Sequence, residues 1–136
     1  MTFFDYAQKF IGRPYIWGGD GSAKCHGGFD CSGFVLEVLW AFGVYTGMDT
    51  TAQGLYAWAK KQKASKDPYF RLLFFGKDLK HITHVAIGSI LNTNLMIEAG
   101  GGDSKCKTPE TSTGMVRIRP LRKDLVAAIR LSLWRF

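Results

Sequence analysis

Cys31 stands in Gly28-Phe29-Asp30-Cys31-Ser32-Gly33-Phe34, where a glycine-containing approach ends in a thiol and an apolar run begins. From there Phe34, Val35, Val38, Leu39 and Phe42 recur at helical spacing. Asp30 is a natural N-cap and Gly43 a natural stop, so the pattern predicts a helix over 31–42 with Cys31 in its first turn. Unpaired backbone N–H groups and the helix dipole favour negative charge there. The expectation is a thiol with a lowered pKa that is nucleophilic at neutral pH. A buried, purely structural cysteine is the alternative, because reactivity also requires a base. The chain holds three histidines. His26 lies in a loop with no rigid element to aim it. His84 opens the strand-like run Val85-Ala86-Ile87 and is the first choice, with His81 in reserve. The base in turn needs an acceptor for its second ring nitrogen. Glu98, inside the apolar Met96-Ile97-Glu98-Ala99, is that candidate, since a carboxylate there needs a partner. Hairpin parity tests the pair. A turn centred on Leu91 puts His84 and Glu98 directly opposite, and one centred on Asn92 makes them diagonal neighbours. A two-residue turn without a bulge would put them on opposite faces.

Further chemistry lies before the thiol. In Gly12-Arg13-Pro14-Tyr15-Ile16-Trp17-Gly18-Gly19, Pro14 forces an extended or turning chain. Tyr15 and Trp17 point the same way if it is extended. They either pack the floor of the core or bring the Tyr15 hydroxyl to the nucleophile. The other cysteines, Cys25 and Cys106, make an odd total that argues against a disulfide framework. His26 beside Cys25 raises zinc, but no Cys-x-x-Cys spacing exists, so neither metal nor cofactor is expected.

The elements that must position these groups follow from periodicity. Residues 2–11 read as a short helix with Phe3, Tyr6, Ala7 and Phe10 on one face. Residues 20–28 read as a glycine-rich loop. A helix capped by Thr50 or Thr51 runs to about Lys63, with Lys60, Lys61, Lys63 and Lys66 as a solvated end and a break at Asp67-Pro68. Strands follow at about Leu72–Phe75, Ile82–Leu91, Leu95–Ala99, Met115–Arg119 and Leu125–Leu133. Helices first and strands afterwards predict an α+β domain with an antiparallel sheet. The chain has 136 residues, 46% of them hydrophobic, which fits one domain over 1–136. No apolar run approaches the roughly 18–20 residues of a membrane span, so no membrane insertion is expected. Met1-Thr2-Phe3-Phe4-Asp5 lacks a basic segment ahead of an apolar one, so a cytoplasmically made protein without a signal peptide is expected. The net charge of +7 fits an anionic target. The C-terminal basic residues Arg117, Arg119, Arg122, Lys123, Arg130 and Arg135 alternate with apolar ones. They read as the outward face of strands, and no nucleic-acid partner is expected.

Pro14-Tyr15-x-Trp17-Gly18-Gly19, Phe29-Asp30-Cys31-Ser32-Gly33-Phe34, Thr51-Ala52, Leu73-x-Phe75 and His84-Val85-Ala86-Ile87 together resemble the NlpC-type cell-wall cysteine peptidases of the papain-like superfamily. The resemblance runs from the first helix to about Ala99. Val116-Arg117-Ile118-Arg119-Pro120 and Arg122-Lys123-Asp124-Leu125-Val126 look like bacteriophage-encoded members. The resemblance implies a papain-like α+β fold with the nucleophile helix packed on an antiparallel sheet. It implies Cys31 as nucleophile, His84 as base and Glu98 as the third residue. That third position is more often histidine, asparagine or glutamine in the family. Tyr15 would approach the reacting centre, and the Cys31 N–H would help hold the oxyanion. Asp30 and Ser32 would contact the amine end of the substrate, with Trp17 also in the binding site. The implied substrates are peptidoglycan stem peptides, cut typically at the γ-D-glutamyl bond to a diamino acid. The implied place of action is the bacterial wall, as a tail-associated virion component contacting phage tail proteins or as a lysis factor. An amidase or acyltransferase on the same scaffold, or a non-catalytic phage tail component, are the rival readings. The family's Pro-Gly-Asp before the first strand is absent, with Asp67-Pro68-Tyr69-Phe70-Arg71 in its place. This departure is expected to change a loop and not the chemistry.

Overall fold

Helices come first along the chain and strands afterwards, and both are built around one sheet. The computed structural model describes residues 2–62, 70–89 and 91–131. Three α-helices, α1 (Phe3–Gln8), α2 (Cys31–Ala41) and α3 (Ala52–Ala59), precede five strands. These are β1 (Phe70–Gly76), β2 (Ile82–Gly88), β3 (Leu95–Gly100), β4 (Met115–Pro120) and β5 (Leu125–Leu131). The strands form one antiparallel sheet in the order β4-β3-β2-β1-β5. This is the expected α+β arrangement.

Each helix starts where a side chain can accept a first-turn N–H. Thr2 and Asp5 cap α1 reciprocally. The Asp30 carboxylate accepts from Gly33 N–H at 2.7 Å to start α2, and Thr51 accepts from Gly54 N–H at 3.1 Å to start α3. The first helix is shorter than its apolar periodicity predicts. From Lys9 to Ile11 the bonds tighten to the i→i+3 pattern, and Gly12 leaves at φ 93°. The third helix ends at Ala59, short of Lys63. Lys63, Lys66, Asp67-Pro68-Tyr69, Ile90, Leu133 and Arg135 lie outside the described residues.

The apolar face of α2 (Phe34, Val35, Val38, Leu39) is buried in one core with Phe70, Leu72 and Phe74 of β1, Val85 and Ile87 of β2, and Ile97 and Ala99 of β3. Burying side chains of this size contributes roughly 1.5–3 kcal/mol each before entropy is subtracted. The other face of the sheet is apolar too. Leu73, Phe75, Ala86 and Met96 cluster there under Leu121. Burial on both faces explains why β1 reads as the unbroken run Leu72-Leu73-Phe74-Phe75 instead of alternating.

Two register features aim the strands that carry the proposed base. Ile87 pairs with Ile97 and Gly88 with Met96, which centres the β2–β3 connection on Asn92. The second strand stops at Gly88, earlier than predicted. Beyond it Ser89 turns the chain, its hydroxyl accepting from Leu91 N–H and Asn92 N–H. At the other end of β2, Phe75 pairs with His84 and Gly76 with Ile82, so Thr83 is an extra residue in the ladder. Such a bulge rotates the side chains on either side of it.

The start of α2 also depends on close backbone approach. A Cβ on Gly33 would overlap the Gly19 carbonyl oxygen, which is backbone and cannot turn aside. Gly33→Ala should therefore lower stability by about 2 kcal/mol or more, read from the urea midpoint. An unchanged midpoint would show that α2 does not rest on Gly19.

Candidate active site

Asp30 caps α2, and Cys31 is its first residue, so the helix itself delivers the thiol. The sulfur is half-buried against the backbone of β2. The thiol donates to the Thr83 carbonyl at 3.9 Å, and the Val85 N–H also approaches the sulfur. These two contacts bracket His84. The β2–β3 register centred on Asn92 makes His84 and Glu98 diagonal neighbours, the second of the two geometries that allow contact. Contact is made: His84 Nε2–H donates to Glu98 Oε1 at 2.7 Å. With Nε2 committed, Nδ1 is the ring nitrogen left free. The structure thus brings Cys31, His84 and Glu98 into one neighbourhood. The His84 ring is further held by Phe75, with ring centroids 5.5 Å apart.

His81, the reserve candidate, is turned to solvent and pairs with Asp78 through Nδ1 at 2.7 Å. His26 ends a one-turn helix in a left-handed conformation, φ 57°, within the 20–28 loop. That loop is closed across its base by Gly21 N–H to Gly28 O at 2.8 Å. Cys25 sits in the same turn, half-buried. Cys106 is a structural anchor. Its side chain is fully buried, and its sulfur accepts from Asp103 N–H at 3.4 Å and Thr113 N–H at 3.5 Å. It ties down the loop that follows β3.

Tyr15 and Trp17 do not share a direction. Tyr15 is 7% exposed and Trp17 56%. The extended geometry fails because the chain turns right after Ile16, with Gly19 N–H bonding Ile16 O and Gly18 at φ 71°. Tyr15 packs into the core with its ring against Gly102. Burial, then the nearby Cys31 and Asp30, raise the pKa of its hydroxyl, which places it close to the nucleophile. The Trp17 side chain stands at the surface, while its backbone N–H donates to Cys106 O at 2.8 Å. Ser32 is buried and donates to Asp30 Oδ1 at 3.4 Å, so both residues already serve the cap. Burial raises the Asp30 carboxyl above the usual range.

The thiol pKa runs opposite to the sequence expectation. Burial and the adjacent Asp30 carboxylate push Cys31 from 9.0 up to about 11. The N–H groups of Val85, Ser32 and Cys31 itself work the other way but do not win. At rest the thiol is protonated, in keeping with its bond to the Thr83 carbonyl. Glu98 shows the reverse balance. Its burial would raise the pKa, yet His84 and Arg117 together hold it below the ordinary value.

Two contributors, an arginine pair and a glutamine, escaped sequence reasoning. Arg117 Nε donates to Glu98 Oε2 at 3.1 Å, and Arg119 Nη1 lies 3.6 Å from the same oxygen. Val116 and Ile118 do point away from these arginines, but the arginines are not simply an outward face. Their signal was the strand alternation itself, and what hid it was the long loop before β4, which leaves the β3–β4 register open. Gln53 is the other. Its side chain bonds Leu79 O at 2.9 Å and accepts from Ile82 N–H at 2.8 Å, clamping the entry to β2 onto α3.

Residues 12–123 match the model of the NlpC/P60 family. The chain belongs to that family. Among curated relatives, the probable endopeptidase p60 of Listeria seeligeri is 35% identical over 89 residues, 63% of this chain. The Listeria innocua counterpart is 33% identical over 89 residues. The chain spans only 16% of the Listeria seeligeri protein's length. Among solved structures, the NlpC/p60 domain of the peptidoglycan hydrolase SagA matches with TM-score 0.64 at 25% identity, covering 96% of this chain and 97% of that one. An NlpC/P60 family protein from Bacillus cereus shares the fold, with TM-score 0.63 at 24% identity over 94% of this chain and 38% of that one.

A protonated thiol in this NlpC/P60 domain predicts slow alkylation. The rate of iodoacetamide labelling at Cys31 should be low at pH 7 and climb roughly tenfold per pH unit toward pH 11. A plateau already reached near neutral pH would mean that a thiolate–imidazolium pair exists at rest.

Proposed function

We propose that this NlpC/P60 domain is a cysteine endopeptidase acting on peptidoglycan stem peptides. The observation that carries the reading is the 2.7 Å His84–Glu98 bond beside a helix-borne Cys31. The names of the relatives, endopeptidase and peptidoglycan hydrolase, point to the substrate class. The net charge of +7 suits an anionic wall.

In this mechanism His84 Nδ1 takes the thiol proton as Cys31 attacks the scissile carbonyl. A thiol with a raised pKa makes that transfer coincide with substrate engagement. The imidazolium that forms is stabilised by the ionised Glu98 across the 2.7 Å bond. The developing oxyanion lies at the N-terminus of α2, where the Cys31 N–H and the helix dipole favour negative charge. Tyr15 borders this centre. His84 then returns the proton to the leaving amine, and the acyl-enzyme on Cys31 is hydrolysed by water that His84 activates. The bond assigned is γ-D-glutamyl to diamino acid, with Asp30 and Ser32 facing the amine end and Trp17 at the rim. A tail-associated role in a phage virion extends the reading and draws on the resemblance of residues 116–126.

Mass spectrometry of muropeptides incubated with wild type, Cys31→Ala and His84→Ala tests it. The wild type should release fragments ending in D-glutamate. Both variants should lose at least about 10³-fold in kcat/KM; Cys31→Ala should keep the wild-type thermal midpoint, whereas His84→Ala, which strips Glu98 of a buried partner, should lower it. Cys31-dependent cleavage at another bond would make the protein an amidase or a peptidase of different specificity. Equal product from wild type and Cys31→Ala would overturn the reading.

A further inference from the structure

The Glu98 carboxylate divides its two oxygens between two strands. Oε1 accepts from His84 on β2 and Oε2 from Arg117 on β4. Arg117 is the direct cross-strand partner of Glu98, and Arg119, one pair further along the same face, faces the same Oε2. The backbone makes room for this group. A Cβ on Gly100 would overlap the Glu98 carboxylate, and one on Gly101 would lie 3.1 Å from the Arg117 guanidinium. Glu98 is 1% exposed, so water cannot replace either partner.

We propose that Arg117 is a positioning residue: by occupying Glu98 Oε2 it leaves Oε1 for His84 Nε2–H, and so holds His84 in the tautomer that presents an unprotonated Nδ1 to the Cys31 thiol. This rests on the reading of Cys31 and His84 given above. The pairing also explains how a carboxylate serves at a position where the family more often has a neutral side chain. Glutamate and Arg117 form one unit, and neither is suited to the site without the other.

The unit makes an unusual demand on substitutions. An amide at position 98 has one acceptor and one donor end. Arg117 has only donors, so it would claim the amide oxygen. The amide NH2 would then face His84 Nε2, which must accept, and the ring proton would move to Nδ1. That tautomer cannot take the thiol proton. Removing Arg117 as well lets the amide turn its oxygen to His84. The more distant Arg119, 40% exposed along its side chain, can turn to solvent. Removing Arg117 alone acts through charge. The groups facing Glu98 are His84 from β2 and Arg117 and Arg119 from β4. From β1 Phe75 packs on His84, and Arg122, paired with Asp124, lies over the Phe75 ring. Without Arg117, burial raises the Glu98 pKa, so the carboxylate that orients His84 is lost at a higher pH. That change moves the acid limb of activity to higher pH.

The test is a double-mutant series on the full chain with two readouts. Ring-nitrogen NMR of 15N-labelled protein at pH 8 reports the His84 tautomer and needs no turnover. The wild type should show Nε2–H, Glu98→Gln should show Nδ1–H, and Glu98→Gln with Arg117→Met should return to Nε2–H. On muropeptides, Glu98→Gln should lose about 10²-fold in kcat with KM nearly constant, and the double variant should recover about tenfold of it. A merely structural salt bridge would move the thermal midpoint across this series and leave the His84 tautomer the same in all three proteins. A Glu98→Gln protein that keeps Nε2–H, or a double variant no better than Glu98→Gln, overturns the proposal. If Glu98→Gln fails to fold, Arg117→Met alone decides. The acid limb of kcat/KM should rise by about one pH unit, and an unmoved limb refutes the role. Full activity in Cys31→Ala would sink the peptidase reading while leaving the tautomer result to stand or fall by itself.

Discussion

A buried carboxylate must be matched by opposite charge, and in this domain that requirement governs the sheet. Glu98 lies on β3, between the strand that carries His84 and the strand that carries Arg117. Stripping a buried ion pair of one partner typically costs about 3–5 kcal/mol. That is a large share of the stability of a domain this size. Both registers that flank β3 are therefore coupled to the site. The β2–β3 connection must centre on Asn92, and Glu98 must oppose Arg117. A slip of one residue would move Glu98 into the apolar layer beneath α2 and leave it without either partner. Chemistry and fold stability thus rest on the same contacts.

At Cys31 two effects compete, and the larger decides the outcome. A helix N-terminus favours a negative group by about 0.3–1 kcal/mol near the surface. Burial and the Asp30 carboxylate oppose it, and the thiol rises from 9.0 to about 11. Burial and the neighbouring charge together outweigh what the helix end offers. The residue that starts the helix thus adds to the burial that keeps the thiol protonated. Asp30 starts the helix because its carboxylate satisfies the Gly33 N–H. Capping and thiol ionisation pull on it in opposite directions, which in the proposed mechanism leaves activation to His84.

The loops around the site are held by small, specific contacts. Cys106 anchors the segment after β3 through sulfur-accepted hydrogen bonds, and Ser112 donates to the Tyr15 carbonyl at 2.7 Å. Gln53 plays the matching part for the turn before β2. These contacts fix the walls on either side of Cys31 without adding to its chemistry.

Much of this was legible in the sequence because it depends on local pattern. Asp30 ahead of an apolar 3.6-residue period determined the helix and the place of Cys31 in it. Thr50 or Thr51 marked the next helix, and the sequence offered Leu91 and Asn92 as turn centres that would let His84 and Glu98 meet, a choice only the β2–β3 register made. The NlpC/P60 motifs are dense in those same segments. Other features depend on groups distant in the chain. The direction of the Cys31 pKa shift follows from how deeply β2 buries the sulfur, which no local pattern encodes. The divergence of Tyr15 and Trp17 follows from a turn at Gly18 closed by Gly19 and Ile16. The role of Arg117 follows from a register set across the long loop after β3. Sequence alone determined which groups could react and which elements carry them. Only the tertiary structure decided which charge each of them faces, because burial and cross-strand register exist only once the sheet has closed.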